Sequence, residues 1–250
     1  MPEFSVTSVQ RRDQAEDIER RAPGRAIALT GRAVARSVGW SVASGRPVSW
    51  PAIACSILAP PLFVFAWVVA DVRQPATYNA TRDTISGLSG QAATDRWIMT
   101  FALLIVGTCY AASGAGLRAL RPAARIDLVV AGVAGIGVAI CPQPANGSTV
   151  QHLAFTSIGA TALAIFPALT ARRRGAASPL ISVPVATVIT VVFVGMLGWL
   201  LFEARTGGDL VGLAERLDSS LQMCWPPVLA IALYKSGRRR VRRDRPIPSP

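Results

Sequence analysis

The chain has 250 residues, of which 51% are hydrophobic and only 16% are charged, and its mean hydropathy is +0.40. A soluble globular protein carries about 25% charged residues, so this composition argues against that class. The apolar residues are also clustered, since the segments from Ile98 to Leu117 and from Ile181 to Phe202 contain no charged side chain. Each is long enough to cross roughly 30 Å of hydrocarbon at about 1.5 Å per helical residue. The sequence therefore predicts an all-α integral membrane protein.

Residues 1 to 48 precede the first long apolar segment and hold eight arginines among few large apolar side chains. That is too little apolar surface for a core, and the compact apolar region and cleavage site of a signal peptide are missing. We therefore expect a cytoplasmic basic arm, in which Arg25 to Val42 has the apolar spacing of a helix lying on anionic lipid. The first membrane span would then direct insertion.

Six apolar segments follow, and each predicts one membrane-spanning helix. They are Trp50 to Ala70, Trp97 to Leu117, Ile126 to Ile140, His152 to Ala171, Leu180 to Phe202 and Ser219 to Tyr234. The third is short, and the sixth contains Pro226 and Pro227, which kink a helix or delay its start. Residues 49 to 235 thus form the expected six-helix bundle, and residues 236 to 250 form a basic, proline-rich cytoplasmic tail. We expect disorder from Arg238 to Pro250.

The basic residues indicate the orientation of these spans, because lysine and arginine are enriched in cytoplasmic loops. With six spans, 21 of the 26 basic residues fall in the termini and in the second and fourth loops, and five fall in the opposite loops. This asymmetry predicts cytoplasmic termini and a multi-pass protein of the cell membrane. The net charge of +12 then reflects topology and attraction to anionic lipid, so we expect no nucleic-acid partner.

Three polar motifs interrupt the apolar segments. The first is Tyr78-Asn79-Ala80-Thr81-Arg82-Asp83-Thr84-Ile85-Ser86-Gly87-Leu88-Ser89, followed by Asp95-Arg96-Trp97. The others are the loop from Pro142 to His152, and Gly212-Leu213-Ala214-Glu215-Arg216 followed by Trp225-Pro226. Over residues 50 to 235 they resemble the motifs of the family called domain of unknown function 998. The resemblance implies a six-helix bacterial membrane protein without an assigned activity.

A weaker resemblance concerns lipid handling. The Ile-Ser-x-Leu pattern that follows the first span is similar to one in the FRAG/DRAM/SFK group of six-span proteins, some of which are linked to lipids. This is an analogy between folds, and function depends on the site that a fold carries. The polar residues of the motifs therefore need their own interpretation.

The predicted topology places the motifs on the outer face of the membrane. A histidine near a serine and a carboxylate has the composition of a general base with its nucleophile. His152, Ser86 and Asp83 are therefore candidate catalytic residues of a membrane-embedded hydrolase, with Glu215 as the alternative carboxylate.

The charged residues of these loops favour a second, non-catalytic hypothesis. Arg82, Asp83, Glu215 and Arg216 can pair with one another and tie two outer loops over the bundle, since charges near lipid need partners. The loops would roof a polar cavity in which Arg82 or Arg216 contacts a lipid phosphate. The leading hypothesis is thus a lipid-associated or accessory protein whose partners are membrane lipids or another protein.

Other functional classes have less support in the sequence. One histidine and four scattered cysteines form no metal or haem motif, so we expect no metal and no cofactor. Cys141 and Cys224 fall near outer helix ends, where a disulfide and two free thiols are both consistent with the sequence. A small-solute transporter usually carries charges within its spans, and these spans are nearly free of charge, so transport is a third alternative.

Overall fold

The structure is a computed structural model that describes residues 48–172 and 178–243, with side chains described up to residue 237. The described residues form seven α-helices and a single 3-10 turn, with one isolated bridge between Arg172 and Ser182. The expected amphipathic segment Arg25 to Val42, and residues 1 to 47 of the basic arm, lie outside the described residues.

Six of the seven helices are long. The helices are α1 (Trp50–Val72), α2 (Ile85–Leu88), α3 (Trp97–Gly116), α4 (Pro122–Ile140), α5 (Val150–Thr170), α6 (Val183–Thr206) and α7 (Val211–Arg243), and the 3-10 turn (Pro179–Ile181) precedes α6. In the part of the chain that is described, α1, α3, α4, α5 and α6 are long and apolar enough to cross a membrane. The predicted all-α membrane bundle is confirmed, whereas a sixth crossing and the orientation stay predictions.

Local sequence accounts for several helix ends. Proline occupies the first turn of α1, α4 and α6, where its missing N–H leaves no hydrogen bond unmade. The Thr149 side chain accepts a hydrogen bond from the backbone N–H of His152 and thereby caps α5. Helix α6 ends at Gly207, whose φ of 66° is in the left-handed region that terminates helices.

The last helix departs most from its predicted bounds. Helix α7 begins at Val211, eight residues before the predicted start at Ser219, and continues through Pro226 and Pro227. The prolines therefore do not delay its start, because the first turns upstream are already formed. The helix also extends to Arg243, beyond the predicted end of the span at Tyr234. Glu215 and Arg216 consequently lie on a helix rather than in a loop.

The six long helices form a ring. Neighbours around it are α1, α3, α4, α5, α6 and α7, and α7 closes the ring against α1. Neighbouring helices are antiparallel. The ring is held partly by polar contacts, since Ser56 of α1 bonds to Ser113 of α3 at 2.9 Å and the Tyr110 hydroxyl donates to the Met223 carbonyl at 2.9 Å. Gly107 lies against the Gly132 carbonyl, and only glycine permits that close approach of α3 and α4.

Candidate functional site

A cavity of about 150 Å³ lies inside the helix ring. A cavity of about this size inside a protein can hold a molecule such as benzene. All six long helices contribute to its wall. The apolar part includes Phe63 of α1, Val106 of α3, Gly135 of α4, Phe155 of α5 and Leu200 of α6. The cavity extends from α2, at one end of the bundle, along about three turns of α7.

One wall of the cavity is polar, and α7 supplies most of it. Glu215, Asp218, Ser219 and Gln222 all line the cavity. Their spacing of three, four and seven residues places them on a single helical face. The cavity wall is therefore mostly apolar, and most of its few polar side chains are grouped on α7.

At the end of the cavity, Ser86 and Glu215 form the link between the first loop and α7. The Ser86 hydroxyl donates to Glu215 Oε1 at 2.7 Å, and the backbone N–H of Ile85 donates to Oε2 at 2.6 Å. Glu215 thus caps the short helix α2 from another part of the chain. The Thr84 side chain completes the cap by accepting from the N–H of Gly87 at 3.1 Å.

Deeper in the cavity, Asp218 and Gln222 form a second pair. Gln222 Nε2 donates to Asp218 Oδ1 at 2.6 Å, and the two residues are only 1% and 2% exposed, respectively. Within the described residues, Asp218 Oδ2 and Gln222 Oε1 have no further hydrogen-bond partner. The Thr156 hydroxyl on α5 also lines the cavity and is buried without a partner among those residues. Buried polar atoms are normally hydrogen-bonded, so the buried hydroxyl of Thr156 in particular calls for an explanation.

Arg216 is turned away from the cavity. Its guanidinium bonds to Asp71 Oδ1 at 2.7 Å and to the carbonyls of Asp83 at 2.8 Å and Gly212 at 3.0 Å, and it also donates to the Tyr78 hydroxyl. Burial, together with the hydrogen bond to Asp71, raises the pKa of the Tyr78 phenol well above its ordinary value. Arg216 therefore holds the first loop onto α7.

Arg82 and Asp83 lie on the surface of the first loop. Arg82 Nε is 3.9 Å from Asp83 Oδ1, and the two side chains are 56% and 38% exposed. The Asp83 carboxylate also accepts the backbone N–H of Asn79 at 2.6 Å. Neither residue is in the wall of the cavity described above.

His152 is fully buried, and its hydrogen bonds in the described structure are to residues outside the Ser86–Glu215 link. Its Nδ1 donates to the Cys141 carbonyl at 2.8 Å, and within the described chain its Nε2 is buried without a partner. The structure brings Ser86 to Glu215, and neither His152 nor Asp83 hydrogen-bonds to that pair within the described residues. The candidate residues Ser86, Asp83 and His152 are thus in three separate settings.

The cysteines do not pair in the described structure. Cys141 and Cys224 both carry free thiols, as do Cys55 and Cys109. The sequence was consistent with a disulfide between Cys141 and Cys224 and with two free thiols, and the described structure has the free thiols.

Sequence reasoning missed the deeper part of the site. It began the sixth span at Ser219, so Glu215 fell in a loop, and it singled out neither Asp218 nor Gln222. The signal was present as Glu-x-x-Asp-Ser-x-x-Gln, the spacing of one polar face on a helix. Thr156 gave no such signal, because a single threonine within an apolar helix is common.

The fold defines a class, namely helical multi-pass membrane proteins. The model of a family described as "Protein of unknown function (DUF998)" matches residues 57–232. The chain belongs to that family, so the resemblance of its polar motifs is confirmed. No curated protein and no solved structure matches the chain.

Proposed function

We propose that this protein is a lipid-associated or accessory membrane protein that holds the polar end of an amphiphilic molecule in the cavity inside its helix ring. The observation that carries this proposal is a largely apolar cavity wall in which a few polar side chains are grouped on α7. Binding cavities typically combine an apolar lining with a few polar groups that fix orientation.

The size of the cavity limits what enters it. A volume of about 150 Å³ accommodates a small polar group with a few carbons, and a whole phospholipid is far larger. The ligand would therefore be a short amphiphile, or a lipid of which only one end enters. Its polar end would contact α7, and its apolar part would contact the opposite wall.

The position of the cavity fits binding from the outer half of the membrane. Ser86 and Glu215 lie at the end of the ring where residues 73–96 and 141–149 connect the helices. Under the orientation that the basic residues predict, this end faces outward from the cell membrane. The cavity would then receive ligands from the outer leaflet.

The polar face of α7, rather than the two arginines, is the binding surface in this proposal. Arg216 is committed to Asp71 and to loop carbonyls, and Arg82 is on the loop surface. Glu215 keeps its proposed place at the ligand, because it lines the cavity. Arg82 could contact lipid phosphate only at the membrane surface.

The two alternative functions receive unequal support from the geometry. Hydrolysis needs a nucleophile and free N–H groups that stabilise an oxyanion, and the N–H of Ile85 and the hydroxyl of Ser86 are both bonded to Glu215. Transport gains one supporting observation, because Asp218 places a carboxylate inside the ring, as ion and substrate pathways require. Binding remains the function that the cavity supports best.

Photolabelling with a hexanol that carries a diazirine tests the proposal on full-length protein in nanodiscs. Labelling of the cavity residues Val106 and Leu163 should saturate and be displaced by unlabelled hexanol. Labelling of the exposed Val191 should not saturate, because a surface in contact with lipid has no discrete site. Non-saturating labels at all three positions would refute the proposal.

A cavity-filling variant provides the matched control for this experiment. Ala160→Leu places a larger side chain in the cavity wall and should abolish the saturable labelling. Gly195→Leu makes the comparable change on α6, where an added side chain meets open space, and should leave the labelling unchanged.

A further inference from the structure

The polar wall of the cavity presents hydrogen-bond acceptors that the described protein leaves unused. They are Asp218 Oδ2, Gln222 Oε1 and Thr156 Oγ1. Asp218 and Gln222 are 2% and 1% exposed, so bulk solvent does not account for their free atoms. Gln222 uses one of its two amide N–H groups on Asp218, so its carbonyl oxygen remains free to accept and its second N–H remains free to donate.

The two carboxylates in this wall differ in the number of hydrogen bonds that they accept. Glu215 accepts hydrogen bonds from the Ser86 hydroxyl and from the N–H groups of Ile85 and Ser86. Asp218 accepts one bond, from a neutral amide. No lysine or arginine is among the described residues that line the cavity. A buried carboxylate that accepts only one hydrogen bond is stabilised by a cationic partner.

We propose that the cavity binds a primary ammonium group attached to a short apolar chain. Its three N–H donors would bond to Asp218 Oδ2, Gln222 Oε1 and Thr156 Oγ1, and its charge would balance Asp218. The chain would lie against Phe63, Phe155 and Leu163. This inference rests on the proposed function, because it specifies the polar end of the amphiphile that the cavity holds.

Other polar groups fit this wall less well. A phosphate would bring negative charge to two carboxylates. A trimethylammonium group has no N–H to donate to the free oxygens. Ca²⁺ and Mg²⁺ require about six or more oxygen ligands, and most of the remaining wall is apolar. A neutral alcohol has one donor and leaves the charge of Asp218 unbalanced.

Two kinds of molecule in a membrane carry a primary ammonium group. One is the ethanolamine headgroup of a phospholipid, whose phosphate would remain outside the cavity. The other is a free lipophilic amine. Both present an R–NH₃⁺ group at neutral pH, because alkyl amines have pKa values near that of lysine, about 10.4.

Competition against the diazirine-hexanol label tests the inference on full-length protein in phosphatidylglycerol nanodiscs. Hexylammonium should protect Val106 and Leu163 at about tenfold lower concentration than hexanol or hexyltrimethylammonium. Only the primary ammonium group combines a positive charge with N–H donors, so only it forms charge-assisted hydrogen bonds to the cavity oxygens.

A change of lipid identifies the source of the ammonium group. Phosphatidylglycerol is replaced by phosphatidylethanolamine, with phosphatidylcholine as the control. Competition by the ethanolamine lipid alone indicates a headgroup, and no competition by either lipid indicates a free amine.

Two variants separate recognition from folding. Asp218→Asn should remove the advantage of hexylammonium over hexanol, whereas Asp209→Asn, at an exposed position, should preserve that advantage. Thr156→Val removes an oxygen that has no described partner, so the protein should fold normally. The ratio of the protecting concentrations of hexanol and hexylammonium should fall about threefold. Ser157→Ala on the exposed face of α5 is its control.

The outcomes distinguish the two proposals. Saturable labelling with equal protection by hexylammonium and hexanol would overturn the ammonium assignment and leave amphiphile binding in place. If sodium chloride alone protected the cavity residues from labelling, the ammonium assignment would also be overturned, because the site would then bind a metal cation. The absence of saturable labelling would refute both.

Discussion

The hydroxyl oxygen of Ser86 lies 2.7 Å from Oε1 of Glu215, although 129 residues separate the two positions in the chain. The bond attaches the short helix α2 to the first turns of α7. Because the same carboxylate accepts the N–H of Ile85, displacing the loop would leave a buried carboxylate without its hydrogen-bond donors, which is costly. This link therefore forms the end wall of the cavity.

Removing the hydroxyl tests the strength of this link. Ser86→Ala deletes one hydrogen bond to a carboxylate, which should lower the free energy of unfolding by about 1.5–3 kcal/mol. Unfolding of the purified protein in detergent measures the change. Ser157→Ala, on an exposed face of α5, should change it by no more than about 0.5 kcal/mol. Equal stabilities of the two variants would show that the bond does not form.

The pair of Arg216 and Asp71 should contribute more to stability than any other ion pair in the described chain. Their side chains are 7% and 15% exposed, and the N–O distance is 2.7 Å. Arg216→Gln leaves the Asp71 carboxylate buried without its partner, which should cost about 3–5 kcal/mol. The unfolding free energy in detergent is again the measurement.

Two controls test whether charge is the cause of that loss. The double variant Asp71→Asn/Arg216→Gln removes the unpaired carboxylate and should be more stable than Arg216→Gln alone. Arg82→Gln removes an arginine that is 56% exposed and 3.9 Å from its partner, so its effect should be about 0–1 kcal/mol. A double variant no more stable than the single one would attribute the loss to packing instead.

Much of this fold could be predicted because membrane spans need only length and apolarity. Trp50 to Ala70 and Trp97 to Leu117 were located to within two residues of their observed ends. The start of α7 could not be found in that way. Its first turns are stabilised by contacts with the first loop, such as the bond from the N–H of Leu213 to the carbonyl of Thr81 at 2.9 Å. Such a tertiary contact has no local sequence signal.

The start of α7 also depends on a glycine. A Cβ on Gly212 would collide with the carbonyl oxygens of Asp83 and Ala80, which belong to the backbone and cannot rotate away. Gly212→Ala should therefore displace the first loop and reduce stability, by about 1–3 kcal/mol for an overpacked site. Gly195→Ala is the control, because its Cβ meets open space and alanine favours a helix by about 0.5–1 kcal/mol. A Gly212→Ala protein as stable as Gly195→Ala would contradict this packing.

The site could be predicted only in part, because its residues are also brought together by tertiary contacts that have no local sequence signal. The sequence identified Ser86, Glu215 and Arg216 as unusual, but it gave no means of pairing them. Arg216 was expected to pair with the other loop charges or to contact a lipid phosphate, and the structure surrounds it with Asp71 and loop carbonyls. Arginine has five donors in a fixed geometry, so a cluster of acceptors in the folded loop determines its role.

The topology itself is the last prediction, and single cysteines test it in intact cells. In a background with Cys55, Cys109, Cys141 and Cys224 replaced, Asn146→Cys should react with an impermeant maleimide from outside. Arg118→Cys should react only after permeabilisation, because arginine-rich loops remain on the cytoplasmic side. Lys235→Cys decides whether α7 crosses the membrane. It should behave like Arg118→Cys, and a reaction from outside would mean that the basic end of α7 is external and that the chain has five crossings.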